Sequence, residues 1–141
     1  MEKRRISRIL ARADGATVKR LADEIKAVQS PVIVKAPEKS LAMIRMREPV
    51  QESLFYLGDV IVCEAIVDLA GKKGVAVLMG DDFDKVLDMA VIDAACNAGV
   101  FARYDELERL EREQKIQLEK ERAMFLKTMV SFHSMDSEVA P

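Results

Sequence analysis

A chain of 141 residues, half of them apolar, is long enough for one domain with a core of its own. At this size folding buries roughly 68–70% of the unfolded surface, so neither disulfides nor a structural metal are needed to hold it together. The net charge is −2, but residues 1–50 carry 12 Lys and Arg against 6 Asp and Glu, while residues 51–141 carry 10 against 18. Such asymmetry suits a surface for an anionic ligand or a charged partner, and equally suits two halves that interleave so that their fields cancel. The two cysteines, Cys63 and Cys96, lie far apart in apolar stretches and read as buried thiols of a reducing compartment. The basic start Met1 to Arg5 is followed by no long apolar run, so neither a signal peptide nor a membrane span is expected, and the chain reads as cytoplasmic.

Ile6, Ile9, Leu10 and Ala13 fall on one side of a short helix that Asp14-Gly15 ends, and a second helix starts at about Thr17. Its Val18, Leu21, Ala22, Ile25 and Val28 keep the spacing of a core-facing stripe, and Ser30-Pro31 stops it because the residue before proline disfavours helix. Two strand-like pieces follow, Val32 to Val34 and Leu41 to Met46, separated by Pro37-Glu38-Lys39-Ser40. Glu48-Pro49 breaks the pattern, and Ser53 to Tyr56 resumes it ahead of Gly58-Asp59. Lys35, Arg45 and Arg47 flank these pieces, where they can face a triphosphate or guard sheet edges against aggregation.

From Val60 to Leu69 the chain alternates. Ile61, Cys63, Ala65, Val67 and Leu69 form a wholly apolar face, and Val60, Val62, Glu64, Ile66 and Asp68 a mixed one. Gly71-Lys72-Lys73-Gly74 supplies a turn with two residues that tolerate positive φ. The return strand, Val75 to Met79, is apolar at every position, which predicts burial on both faces with helices covering at least one.

Gly80-Asp81-Asp82 ends that strand and opens a helix that either aspartate can cap; two carboxylates there repel an anion. The helix, Val86 to Ala98, is apolar around most of its circumference and is predicted to be central, so Asp93 within it needs a partner or a route to the surface. Asn97-Ala98-Gly99 stops it. A long helix then runs from about Tyr104 to Phe132 with a thin seam of Leu107, Leu110, Leu118, Phe125, Met129 and Phe132 amid dense charge. Such a helix leans on a partner or on its own copy.

The catalytic inventory is thin. The one histidine, His133, has no cysteine near it in sequence, and neither a phosphate-cradling G-x-x-x-x-G-K-[ST] loop nor a G-x-G-x-x-G turn occurs. The pattern is that of a subunit that shapes a site or holds partners together.

The ordered series Phe55-x-x-Gly58-Asp59, Gly71-x-x-Gly74, Gly80-Asp81-Asp82 and Ala90-x-Ile92-Asp93-Ala94 resembles the PhnG family, the G subunit of carbon–phosphorus lyase. Thr128-x-Val130-x-Phe132-x-Ser134-Met135 is similar to that family's closing segment, although Asp136-Ser137-Glu138 stands where many relatives have Arg-Gly-acid. The resemblance covers roughly residues 16–135. It implies a single PhnG-like domain over 1–141, with the helix and tail at 104–135 contacting partners. Glu64 joins the motif residues Phe55, Gly58, Asp59, Gly71, Gly74, Gly80, Asp93, Thr128, Val130 and Phe132 as the expected interface set, with no catalytic, cofactor or metal residue among them. The implied partners are the H, I and J subunits. The implied reaction transfers an alkylphosphonate to the ribose C1 of ATP with release of adenine, the I subunit carrying the chemistry. No cofactor of the chain's own is implied; the complex uses ATP and a phosphonate. Two rival readings remain: a helix-turn-helix-like DNA-binding regulator, against which Asp23 and Glu24 count on the candidate recognition helix, and a stand-alone homodimer. The fold expected is α+β, with an N-terminal helical pair, a mainly antiparallel sheet, a buried helix on it and a long C-terminal helix.

Overall fold

A computed structural model describes residues 1–139, with side chains described through Thr128. Two helices, α1 (Lys3–Arg12) and α2 (Gly15–Val28), lead into three strands, β1 (Val32–Arg47), β2 (Leu54–Leu69) and β3 (Lys72–Met79). Two further helices follow, α3 (Phe83–Ala98) and α4 (Tyr104–Val139). The strands form one antiparallel sheet in the order β1-β2-β3, so the fold is α+β as expected. The chain divides into two compact units, Met1–Tyr104 and a second that begins at Asp105.

In the first unit α3 is the middle layer. It packs on β2 and β3 on one side and meets α2 and α1 on the other. That position explains why Val86, Met89, Ala90, Val91, Ile92, Ala94 and Ala95 are all buried although they ring most of the helix. The sheet supplies Cys63, Ala65, Val67 and Leu69, each fully buried, and the helical pair supplies Ile9, Leu10, Val18 and Leu21. Val28, the last residue of the α2 stripe, is exposed instead.

Local chemistry sets the helix ends. The Asp14 carboxylate accepts the Thr17 N–H at 2.9 Å, so α2 begins at Gly15 rather than Thr17. A hydrogen bond from the Thr17 side chain first, and the one from its N–H second, hold the Asp14 carboxyl below its usual range. Lys85 of α3 reaches back to the carbonyls of Ala11 and Ala13 at 2.8 and 2.6 Å, satisfying acceptors that the end of α1 leaves open. The Asp82 carboxylate caps α3 through the Lys85 N–H at 3.2 Å, and Gly99 ends that helix at φ 74°.

Three expectations change in the sheet. First, β1 is one strand of sixteen residues rather than two pieces. It passes Pro37 at a register shift between Lys35 and Glu38, and a proline is tolerated there because β1 is an edge strand. Second, the β2–β3 turn sits at Ala70-Gly71, with φ 52° and 82°, while Lys72, Lys73 and Gly74 already belong to β3. Two positive φ values in a two-residue loop are those of a type I′ hairpin, in which alanine is a poor first residue. Ala70→Asn is therefore expected to raise stability by about 0.5–1 kcal/mol, read by urea unfolding; an unchanged or lower midpoint contradicts this turn geometry. Third, only one face of β3 is covered. Gly74 and Ala76 face α3, but Val75, Val77 and Met79 on the other face are exposed, because no second layer covers that side within this unit.

The second unit is built on α4, a helix of 36 residues about 54 Å long at 1.5 Å per residue. Arg109 pairs with Glu106 and Glu113, each at 3.4 Å, along its charged side. Of the expected seam, Leu118 and Phe125 are exposed, and the side chains of Met129 and Phe132 lie outside the described residues.

Candidate functional site

The sheet is long in one direction only. β3 pairs with β2 from Val62↔Met79 to Leu69↔Lys72. On the far side of Val62 the β1–β2 ladder continues from Leu41↔Ile61 to Arg47↔Leu54, with no third strand beside it among the described residues. The result is a two-stranded ribbon closed by a tip at residues 48–53. The tip is tied to itself: the Glu48 carboxylate accepts the N–H groups of Val50 and Gln51 at 3.0 and 2.6 Å, and the Glu48 N–H donates to the Ser53 carbonyl at 2.9 Å. Phe55, Gly58 and Asp59 all lie on this ribbon. Phe55 is 44% exposed opposite Met46, and the Tyr56 hydroxyl donates a hydrogen bond to the Asp59 carboxylate, which holds the Tyr56 pKa above its ordinary range. A Cβ at Gly58 would meet nothing within 4 Å, so nothing inside the chain requires glycine there.

Nearer the base of the sheet, Lys35 lies between two carboxylates, 2.5 Å from Glu64 and 2.9 Å from Glu38. Glu64 is therefore committed inside the chain, and Lys35 is not a free cation awaiting a phosphate. The hydrogen bond to Glu64 first, then that to Glu38, raise the Lys35 pKa from 10.5 to about 12. A folded-state value above the unfolded one stabilises fully below pH 10.5 and is lost as pH climbs through about 12. The Lys35 ammonium should titrate near 12 by NMR and return toward 10.5 in Glu64→Gln; a midpoint of 10.5 in the unaltered chain would contradict the pairing.

The remaining motif residues build the scaffold. Gly71 forms the turn, and Gly80, at φ 97°, ends β3 while donating to the Ile61 carbonyl at 2.9 Å. A Cβ on Gly74 would lie 2.2 Å from both Ala90 O and Ala94 N, so glycine is what lets α3 approach the sheet. Asp93 accepts the outward N–H of Val75 at 3.0 Å, and Asn97 donates to the Lys73 carbonyl at 2.7 Å, so one turn of α3 closes the free edge of β3. Thr128 donates its hydroxyl to the Met124 carbonyl at 3.1 Å, and the side chains of Val130 and Phe132 lie outside the described residues. Within the first unit most motif residues thus form two groups, one at the β3–α3 contact and one on the ribbon, while Glu64 pairs with Lys35 across β1 and β2 and Thr128 lies on α4.

Sequence reasoning missed one buried acid. Asp88, 7% exposed on α3, pairs with Lys26 of α2 at 3.1 Å. Its signal was the same as that of Asp93, an acid within an apolar helix. A cleft of about 300 Å³ lies between α2 and residues 100–103, walled by Leu21, Ile25, Val28 and Phe101, with the Glu24–Arg103 ion pair at 2.9 Å on its lining. Burial pushes the Cys63 and Cys96 thiols up, which keeps them protonated and weak as nucleophiles. Among the described residues no group of three or more His, Cys, Asp or Glu could hold a metal ion, and no helix is long and apolar enough to cross a membrane.

The family model described as "Phosphonate metabolism protein PhnG" matches residues 1–136. The chain belongs to the PhnG family. A search of curated proteins finds no match. Membership of PhnG places the chain in phosphonate metabolism. It also agrees with the geometry, since both groups of motif residues fall within the matched span. In this PhnG chain the β3–α3 group holds the sheet to its central helix, and the ribbon group stands on exposed strand.

Proposed function

We propose that this PhnG chain is a non-catalytic subunit of the carbon–phosphorus lyase core complex, acting in the cytoplasm beside the H, I and J subunits. Within that complex an oxygen of the alkylphosphonate replaces adenine at the ribose C1 of ATP, and the I subunit carries the chemistry. The observation that carries the reading is the uncovered apolar side of the sheet, where Val75, Val77 and Met79 stand open to solvent in the chain by itself. Contiguous apolar surface of this kind marks a protein interface. The polar motif residues support a structural part, since Glu64 is spent on Lys35 and Asp93 on the β3 edge. In this reading the chain brings no cofactor of its own, and ATP and phosphonate belong to the assembly.

The DNA-binding alternative gains nothing from α2, where Glu24 pairs with Arg20 at 3.6 Å and with Arg103 at 2.9 Å. Co-expression with the cognate H, I and J subunits tests the proposal. The chain should co-elute with them on size exclusion at a fixed ratio. Elution on its own, as monomer or homodimer, would overturn the reading.

A further inference from the structure

We propose that the β1–β2 ribbon, residues 42–60, is a preformed docking arm that seats in an apolar groove of a partner polypeptide whose rim carries carboxylates. The proposal rests on the subunit reading above and names the surface that makes the contact. Five observations carry it.

The ribbon runs roughly 20 Å beyond the last β3 rung, and a two-stranded ribbon in water is marginal without cover. Its apolar side chains are nevertheless bare: Met43, Met46, Leu54, Phe55 and Leu57 are all exposed. Among the described residues the guanidinium groups of Arg45 and Arg47 have no ion pair or hydrogen bond. Aromatic, methionine and arginine side chains together are the composition of an interface centre, and guanidinium groups left open beside it call for carboxylates on the other side.

The tip bound by Glu48 fixes the arm before any encounter, which lowers the ordering cost of binding. Gly58, with open space where a Cβ would stand, lets a partner backbone come close to the strand. A second copy is the poorer occupant. A two-fold pairing of arms sets the same patch against itself and brings arginine toward arginine.

The test measures capture of the full-length chain by co-expressed H, I and J subunits, for the unaltered protein, for Arg45→Glu/Arg47→Glu and for Phe55→Ser, with circular dichroism showing that each variant is folded. The expected result is binding about thirtyfold or more weaker for the double charge reversal, and a salt dependence in the unaltered chain that the reversal removes. Capture of all three proteins with equal affinity overturns the arm while leaving the subunit reading in place. Failure of the unaltered chain to bind removes both. Arm-dependent binding to phosphatidylglycerol vesicles or to duplex DNA, with subunit capture unaffected, assigns the surface to another class of partner and overturns the proposal.

Discussion

Replacing Gly74 with alanine is expected to lower folding stability by about 3 kcal/mol or more. The added methyl would stand 2.2 Å from Ala90 O and Ala94 N and 2.7 Å from Ala94 Cα, all backbone atoms of α3. No rotamer change can relieve a clash with backbone, so α3 must move off the sheet. That motion would also pull Asp93 from the Val75 N–H and Asn97 from the Lys73 carbonyl. Urea unfolding followed by circular dichroism measures the loss. A change below about 0.5 kcal/mol would mean that α3 and β3 are not in this close approach.

The second large effect is expected at Lys26. Asp88 is 7% exposed, and its carboxylate rests on the Lys26 ammonium 3.1 Å away. Removing one partner of a buried pair leaves an uncompensated charge and costs about 3–5 kcal/mol. The Lys26 side chain is 37% exposed, so water reaches one end of the pair and the expected cost of Lys26→Met falls to about 2 kcal/mol. Asp88→Asn in the same background should recover most of the loss, because the amide has no charge to strand. Equal stability of Lys26→Met and the unaltered chain, or no recovery in the double variant, would contradict a coupled pair.

Much of the scaffold is legible in the sequence because periodicity reports burial directly. The α2 stripe, the Cys63 to Leu69 face and the nearly all-apolar α3 each appear where their spacing places them, since the chain itself supplies the neighbours that cover them. The readings that change are those in which the neighbour is missing. An apolar run at every position of Val75 to Met79 predicts two covered faces, yet among the described residues α3 covers one face and Val75, Val77 and Met79 on the other stand exposed. Pro37 reads as a break between strands, but an edge strand lacks the neighbour that would need its N–H, so β1 continues through it.

The site is less legible than the fold. Gly74 reads as a turn glycine, and only the proximity of Ala90 and Ala94 shows that its role is contact distance. Glu64 and Lys35 are 29 residues apart, and no local pattern joins them; strand pairing does. The ribbon's place outside the third strand depends on where β3 stops, which alternation in β1 and β2 alone cannot reveal. The family motif, by contrast, is visible residue by residue, and the match over residues 1–136 gives it a biochemical setting.

As proposed, this chain is a required, non-catalytic partner in phosphonate transfer to ATP. Adenine release from ATP and methylphosphonate, catalysed by the purified cognate I subunit with the H subunit, measured with and without the chain, tests it most directly. Release that depends on adding the chain is expected, together with no release by the chain alone. Release at an unchanged rate in its absence, or release by the chain without the I subunit, would contradict it.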